Sequence, residues 1–177
     1  MPHGELIASD NGARKPTVED IPQAWKVLSE VMDPEVPVIS VVDLGIVRTV
    51  SWEDGHLQVE ITPTYSGCPA TEVIEHDIRC ALEGAGYRAP RLSQRLTPAW
   101  TTDWITDAGR EALRQYGIAP PSGSSSKRSL LGEPLQITCP ICGSEHTERL
   151  SQFGSTACKA LYRCIECREP FDYFKCI

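Results

Sequence analysis

The stretch Thr64-Tyr65-Ser66-Gly67-Cys68-Pro69 separates a segment with the periodicity of a β-strand from one with the periodicity of an α-helix. Before it, apolar and polar residues alternate as in a half-buried strand, the apolar ones being Leu57, Val59 and Ile61. After it, apolar residues recur at helical spacing: Val73, Ile74, Ile78, Ala81, Leu82 and Ala85. Proline suits the first helical position because its missing N–H costs nothing there. The sequence therefore predicts a helix that begins at Pro69, with Cys68 at or next to the N-cap.

Cys68 is the first candidate functional residue. Free backbone N–H groups and the positive end of the helix dipole favour a thiolate, so a cysteine at a helix N-terminus has a lowered pKa. Three carboxylates in predicted loops are candidate co-ligands: Asp33, Glu35 and Asp43. A thiolate with acidic oxygens nearby can bind a transition metal and release it again, because carboxylates are weaker ligands for iron than thiolates are.

The same residues also have an ordinary structural interpretation. Asp33 precedes a proline and could simply end a helix, and Asp43 could form a turn. Cys68 could stand in for an N-cap residue. The spacing alone supports the two interpretations about equally.

The remaining sequence patterns in the first 118 residues predict a small domain that contains both helices and strands. The apolar pattern indicates a helix from about residue 20 to Asp33, and Asp54-Gly55 is typical of a hairpin turn between two strands. A third strand and a last helix follow at residues 91–97 and 106–116. We therefore predict an α/β (α+β) fold in which helices pack on a small three-stranded sheet, with Cys80 in the core.

Six of the eight cysteines follow residue 138, and four of these form two C-x-x-C pairs: Cys139 with Cys142, and Cys164 with Cys167. Two such pairs converging on one ion give the tetrahedral four-cysteine site of a zinc ribbon. A segment this small has little core of its own, so a structural metal would supply much of its folding free energy. The sequence predicts a C-terminal all-β ribbon that holds Zn²⁺. Iron, as in rubredoxin, is the alternative occupant.

Cys158 and Cys176 are left over from this set. One interpretation makes them additional ligands of a metal or cluster, or a redox pair. The other, slightly favoured, makes them small apolar residues that fill the ribbon.

Composition divides the chain into four segments. Residues 1–16 lack an apolar signal region and are predicted to be disordered, residues 17–118 form the first domain, residues 119–134 are a flexible linker, and residues 135–177 are the ribbon. The net charge of −7 without a basic segment argues against nucleic-acid binding. No apolar run approaches the ~18 residues of a membrane span. Without an export signal the thiols are expected in the reducing cytoplasm, where clustered cysteines more often bind metal than form disulfides.

Three motifs resemble those of the SufT-type iron–sulfur assembly domain in order and spacing: Asp33-Pro34-Glu35-Val36-Pro37, Asp43-Leu44-Gly45-Ile46-Val47 and Tyr65-Ser66-Gly67-Cys68-Pro69. Three further segments, at residues 100–104, 116–121 and 153–164, resemble the PaaD family of accessory proteins of bacterial phenylacetyl-CoA epoxidase systems. The resemblance extends from about residue 17 to the end of the chain. Tyr65-Ser66 departs from the smaller residues that the wider assembly family often has before Gly-Cys-Pro.

The resemblance implies a non-enzymatic accessory protein with a reactive cysteine at Cys68. Its implied role is the maturation of an iron–sulfur cluster or metal centre of the epoxidase system, with iron or a cluster held transiently. The implied partners are the oxygenase and reductase components and iron–sulfur assembly proteins. A structural subunit of the oxygenase complex and a rubredoxin-like electron carrier are the alternatives.

Overall fold

The computed structural model describes residues 20–65, 67–121 and 136–175. The helices are α1 (Ile21–Leu28), α2 (Thr71–Gly84) and α3 (Asp107–Gln115), and the strands are β1 (Val47–Glu53), β2 (His56–Ile61), β3 (Arg91–Gln94), β4 (Ile118–Ala119), β5 (Thr147–Ser151), β6 (Lys159–Cys164) and β7 (Pro170–Phe174). The segment predicted to be disordered, most of the predicted linker and Cys176 lie outside the described residues. Within the described ranges, none of the helices is both long and apolar enough to cross a membrane.

The first sheet has three strands in the order β1-β2-β3. β1 and β2 form an antiparallel hairpin in which Trp52 lies opposite Leu57. Its turn residues Asp54 and Gly55 have φ angles of +51° and +77°, as in the tight hairpin turn that Asp-Gly favours. β3 pairs with β2 in parallel, because α2 carries the chain back across the sheet between them.

The core of the first domain lies between this sheet and α2. The apolar residues of β2 and every fourth residue of α2 are buried in one cluster: Leu57, Val59, Ile61, Ile74, Ile78 and Leu82. The predicted α/β fold with a three-stranded sheet is thereby confirmed. The placement of Cys80 in the core is wrong, because its thiol lies on the exposed face of α2, and Val73 is also 46% exposed.

The first helix is shorter than predicted. It ends at Leu28, whereas the sequence pattern extends it to Asp33. The chain beyond it pairs with a later loop instead, since the Asp33 N–H donates to the Ile39 carbonyl at 3.0 Å and residues 32 and 40 form an isolated β-bridge. This pairing turns the Asp33 loop back towards the sheet.

The second sheet has the order β4-β7-β6-β5, and its three C-terminal strands pair antiparallel as the predicted ribbon requires. β4 adds a parallel edge strand in which Ala119 lies opposite Tyr173. Ala119 is buried, although the sequence predicts it at the start of a flexible linker. The ribbon sheet therefore includes a strand from the chain before that linker.

The ribbon packs against the first domain. Phe174, the last residue of β7, is 1% exposed and lies in the core cluster of the first domain. Its ring centroid is 6.2 Å from that of Trp100, whose indole N–H donates to the Leu44 carbonyl at 3.0 Å. Cys158, just before β6, belongs to the same cluster. The packing brings a ribbon thiol to the loops of the first domain.

Candidate functional site

Four ribbon cysteines form a metal-ligand group, and their sulfur atoms all lie within 4.8 Å of one another: Cys139, Cys142, Cys164 and Cys167. The sulfurs of Cys139 and Cys167 are 3.8 Å apart, and those of Cys142 and Cys164 are 3.5 Å apart. A tetrahedral ion with metal–sulfur bonds of ~2.3 Å separates its ligands by about 3.8 Å, whereas a disulfide is ~2.05 Å long. The four thiols that the sequence predicts as ligands lie together, and their geometry fits one tetrahedral metal ion.

Backbone hydrogen bonds shape the two turns that carry these ligands. The Gly143 N–H donates to the Cys139 carbonyl at 3.0 Å. A hydrogen bond from the backbone N–H of Cys167 is the main influence that lowers the pKa of Cys164 to about 7. Each of the four thiols loses its proton when it binds a metal. His146 is not part of the group, because its Nδ1 lies 2.9 Å from the carboxylate of Glu166 at the surface.

A second candidate site is a cavity of about 10 Å³ between the first domain and the ribbon. Four of its lining residues carry groups that can bind a metal: Asp33, Glu35, Cys68 and Cys158. Its apolar walls come from both parts of the chain: Val36, Leu44, Ile46, Ile61, Ile74 and Phe174. Apolar surroundings strengthen electrostatic interactions, so charges in this cavity interact more strongly than they would in water.

Asp33 organises the loop that carries Glu35. Its Oδ1 accepts hydrogen bonds from the backbone N–H groups of Glu35 and Val36, both at 2.8 Å. Asp33 is 6% exposed, and this burial raises its pKa despite the two bonds. Glu35 is the more exposed of the two carboxylates. Asp33 therefore positions the loop, and Glu35 is the carboxylate of the two that solvent reaches more easily.

Cys68 lies in a turn that precedes α2. The helix begins at Thr71 with Ala70 as its N-cap, so Cys68 lies two residues before the N-cap and not at or next to it, as predicted. The Cys68 N–H donates to the Tyr65 carbonyl at 3.2 Å, and Gly67 adopts a φ of +90° that glycine tolerates. Burial, followed by the proximity of Cys68, raises the pKa of Tyr65 to about 12. The Tyr65 hydroxyl thus stays protonated beside the thiol.

Cys158 reaches the cavity from the ribbon and is 5% exposed. Its sulfur lies 3.0 Å from Thr156 Oγ1 and 4.0 Å from Glu35 Oε2. Burial is the main influence that raises the pKa of the Cys158 thiol. No sequence spacing relates Cys158 to Cys68, because they line one cavity only through the packing of the ribbon on the first domain.

Asp43 does not line this cavity. Its Oδ2 accepts a hydrogen bond from Ser40 Oγ at 2.8 Å, and its Oδ1 accepts one from Thr106 Oγ1 at 2.7 Å. Thr106 is the N-cap of α3, so Asp43 joins its loop to the start of that helix. The structure gives Asp43 a structural role and separates it from the other candidate ligands.

Replacing Glu35 by glutamine is expected to stabilise the metal-free protein at pH 7, by less than about 1 kcal/mol because solvent screens the carboxylate. Burial, and then the Asp33 carboxylate, raise the pKa of Glu35. When the pKa of a carboxyl group is higher in the folded than in the unfolded state, its ionisation lowers the free energy of unfolding at pH values above the folded-state pKa. This loss of stability disappears at pH values below the unfolded-state pKa. Urea unfolding should therefore show the gain at pH 7 and its loss below about pH 4.

The control for this substitution is Glu53→Gln, an exposed residue at the end of β1. It should change the free energy of unfolding by no more than about 0.5 kcal/mol at either pH. A Glu35→Gln protein that is less stable than the parent at pH 7 would contradict the expected sign.

Comparison with known families divides the chain in two. The model for “Iron-sulfur cluster assembly protein” matches residues 22–86, which include Asp33, Glu35 and Cys68. The model for “PaaD zinc beta ribbon domain” matches residues 123–175, which include Cys158 and the four cysteines of the metal-ligand group.

Individual proteins agree with this division. The chain is 52% identical over 162 residues to a subunit of the “Putative 1,2-phenylacetyl-CoA epoxidase” of Escherichia coli, covering 92% of this chain and 94% of that protein. It is 34% identical over 104 residues to “Fe-S protein maturation auxiliary factor” of Porphyromonas gingivalis, covering 58% of this chain and 92% of that protein. A crystal structure of “Domain of Unknown Function DUF59” from Bacillus anthracis matches with a TM-score of 0.50 and 22% identity, covering 54% of this chain and 92% of that one. This last match supports the fold alone.

Proposed function

The chain belongs to the PaaD family, and from this membership and the cavity at Cys68 we propose that it is a maturation factor of a phenylacetyl-CoA epoxidase system. In this role it delivers iron or an iron–sulfur cluster to a component of the system and performs no oxygenation itself. The 34% identity over 104 residues to a protein named as an Fe-S maturation auxiliary factor supports the role.

The placement of Cys68 on one cavity with Asp33 and Glu35 is the observation that carries this proposal. A thiolate binds iron firmly, and a carboxylate binds it more weakly and exchanges more easily. A site that contains both ligand types can accept an ion or a cluster and give it up again. A carrier needs this balance, whereas a permanent site would close its ligand shell with thiolates or imidazoles.

We assign the client role to the reductase component, because one-electron transfer is the task for which proteins commonly use iron–sulfur clusters. Iron–sulfur assembly proteins are the proposed donors, and the oxygenase component is a further partner within the same system. The Escherichia coli relative, which is 52% identical to this chain, is itself named as a subunit of the putative epoxidase.

Cys68→Ala tests the proposal. Cells that depend on this protein for growth on phenylacetate should lose cluster content in the reductase and lose epoxidation, each by about 10-fold or more, as expected when a metal ligand is removed. Cys80→Ser is the matched control, because its thiol is exposed on α2 and does not line the cavity. Unchanged cluster content and epoxidation in the Cys68→Ala strain would contradict the role of this residue.

For the ribbon we propose a resident Zn²⁺ with a structural role. The match to a zinc ribbon model and the closed four-thiolate shell both favour it. When bound, the ion supplies a fixed cross-link between the two turns. Elemental analysis of anaerobically purified protein should find one zinc per chain. A visible iron–thiolate absorption from the ribbon would favour the electron-carrier alternative instead.

A further inference from the structure

A groove of about 420 Å³ lies beside the cavity at Cys68. Its walls come from two segments of the first domain: residues 62–65 on one side, and Leu96, Ala99 and Trp100 on the other. Pro63 and Thr64 line both the groove and the cavity at Cys68. A molecule that binds in the groove therefore contacts the loop that leads directly to Cys68.

The groove lies where β2 and β3 end. The two strands are parallel, and Ile61 lies opposite Gln94 at their carboxyl ends. Beyond this pair, one segment continues into residues 62–65 and the other into Leu96, so the groove lies between the two departing chains. In open α/β sheets, ligands commonly bind in the crevice outside the carboxyl ends of the strands. The groove occupies the corresponding position in the first sheet.

The groove has one fixed apolar wall and one exposed apolar edge. Trp100 is 3% exposed, and its indole N–H donates to the Leu44 carbonyl, so this wall is held in place. Leu96 is 57% exposed at the edge. Pockets for small ligands typically measure about 300–1,000 Å³, so the groove has room for a large apolar side chain. An occupant must also extend over the edge to cover Leu96, as a chain segment does.

Positive charge lies next to this edge. Arg95 directly precedes Leu96, and its Nε is 2.9 Å from a carboxylate oxygen of Glu60. The guanidinium of Arg48 stacks on Trp104 at 3.5 Å from the ring centroid, and its pKa is lowered by burial and then by the charge of Arg95. Two guanidinium groups thus interact with the single carboxylate of Glu60, in a chain whose net charge is −7. A carboxylate from a partner would offset the repulsion between the two arginines.

We propose that the groove binds an extended segment of the client protein in which a large apolar side chain lies next to a carboxylate. The apolar side chain fills the groove between Tyr65 and Leu96, and the carboxylate binds Arg95 and Arg48. Charge complementarity selects this segment, because a basic segment would be repelled by the same two arginines. The inference rests on the proposed function, in which Cys68 serves the client, and adds how the client is held beside Cys68.

Binding of the full-length protein to the cluster-free reductase component, measured by biolayer interferometry, tests this inference. Arg95→Glu and Leu96→Ser should each weaken binding by about 10-fold, as expected for residues that anchor an interface. Raising the salt concentration from about 0.05 to about 0.5 M should weaken binding of the parent protein, because salt screens charge pairs at the surface. The same change should affect Arg95→Glu less, since that variant lacks the charge pair.

The ribbon supplies matched controls, because the same Arg-Leu pair occurs in β5 as Arg149 and Leu150, both of them exposed. Arg149→Glu and Leu150→Ser make the same chemical changes away from the groove and should bind the reductase like the parent protein. Cys68→Ala should also bind it, because the groove holds the client and the thiol does not. An unchanged melting temperature shows that each variant is folded, as expected for substitutions at exposed positions.

Three outcomes would overturn the inference. If Arg95→Glu and Leu96→Ser bind the reductase like the parent protein, the groove does not hold the client, and the proposed function stands provided that Cys68→Ala still lowers cluster content in cells. If the parent protein does not bind the reductase at all, the reductase is rejected as the client together with the docking site. A parent dimer in sedimentation experiments that Arg95→Glu dissociates would mean that a second copy of this chain occupies the groove.

Discussion

Removal of the ribbon metal is expected to unfold β5, β6 and β7 and to lower the stability of the first domain as well. The buried cluster of the ribbon contains eight of the described residues, and two of these, Cys139 and Cys164, belong to the metal-ligand group. Structural zinc binds small domains with an apparent free energy of about 10–16 kcal/mol at pH 7, and most of this is folding free energy. A core this small cannot compensate for its loss.

A strong chelator or the Cys164→Ser substitution should produce this result. Elemental analysis measures the metal, near-ultraviolet circular dichroism reports the packing of Tyr162 and Tyr173, and a thermal scan reports the rest of the chain. Cys80→Ser is again the control, because it removes a thiol that lies outside the metal-ligand group. A metal-free protein with an unchanged near-ultraviolet spectrum and an unchanged melting temperature would contradict the expectation.

Features encoded by local spacing could be predicted from the sequence. The hairpin at Asp54-Gly55 follows from the positive φ angles that these two residues tolerate, and the metal-ligand group follows from two C-x-x-C turns. The alternation that leads to Ile61 determines the inward face of β2 in the same way. In each case the residues that determine the local geometry, such as the two cysteines of one C-x-x-C turn, are close together in the chain.

Features that depend on tertiary packing could not be predicted. Two adjacent rows of side chains on α2 contain apolar residues, and Cys80 lies in the row of Val73, so the helical pattern predicts it in the core. Contact with the sheet buries the other row instead, which contains Ile74 and Ile78. The end of α1 is set by pairing of its downstream chain with residues 39–41. Cys158 lines the same cavity as Cys68 only because the ribbon docks on the first domain, and no local pattern encodes that docking.

Docking of the ribbon depends on Phe174, and Phe174→Ala is expected to destabilise the protein by about 3–5 kcal/mol, the usual loss for a fully buried phenylalanine. Its side chain is 1% exposed and lies in the core cluster that also contains Trp100, Leu44 and Ile61. Truncation leaves a cavity between the two parts of the chain. Since Phe174 also lines the site at Cys68, the variant should lose the defined position of Cys158.

Phe153→Ala is the matched control, because this phenylalanine lies on the same ribbon and is 61% exposed. Its ring contacts the Lys175 ammonium, which lies 4.5 Å from the ring centroid. It should cost less than about 1 kcal/mol.

Unfolding in urea, followed by tryptophan fluorescence and by release of the ribbon metal, measures both variants. In the parent protein the two signals should change together, because Phe174 and Cys158 tie the ribbon into the core of the first domain. In Phe174→Ala the ribbon signal should change at a lower urea concentration than the fluorescence, since the shared contact is lost while the four-cysteine site remains. Equal stability losses for Phe174→Ala and Phe153→Ala would mean that the two parts do not share a core in solution, and the cavity lined by Cys68 and Cys158 would then lack its structural basis.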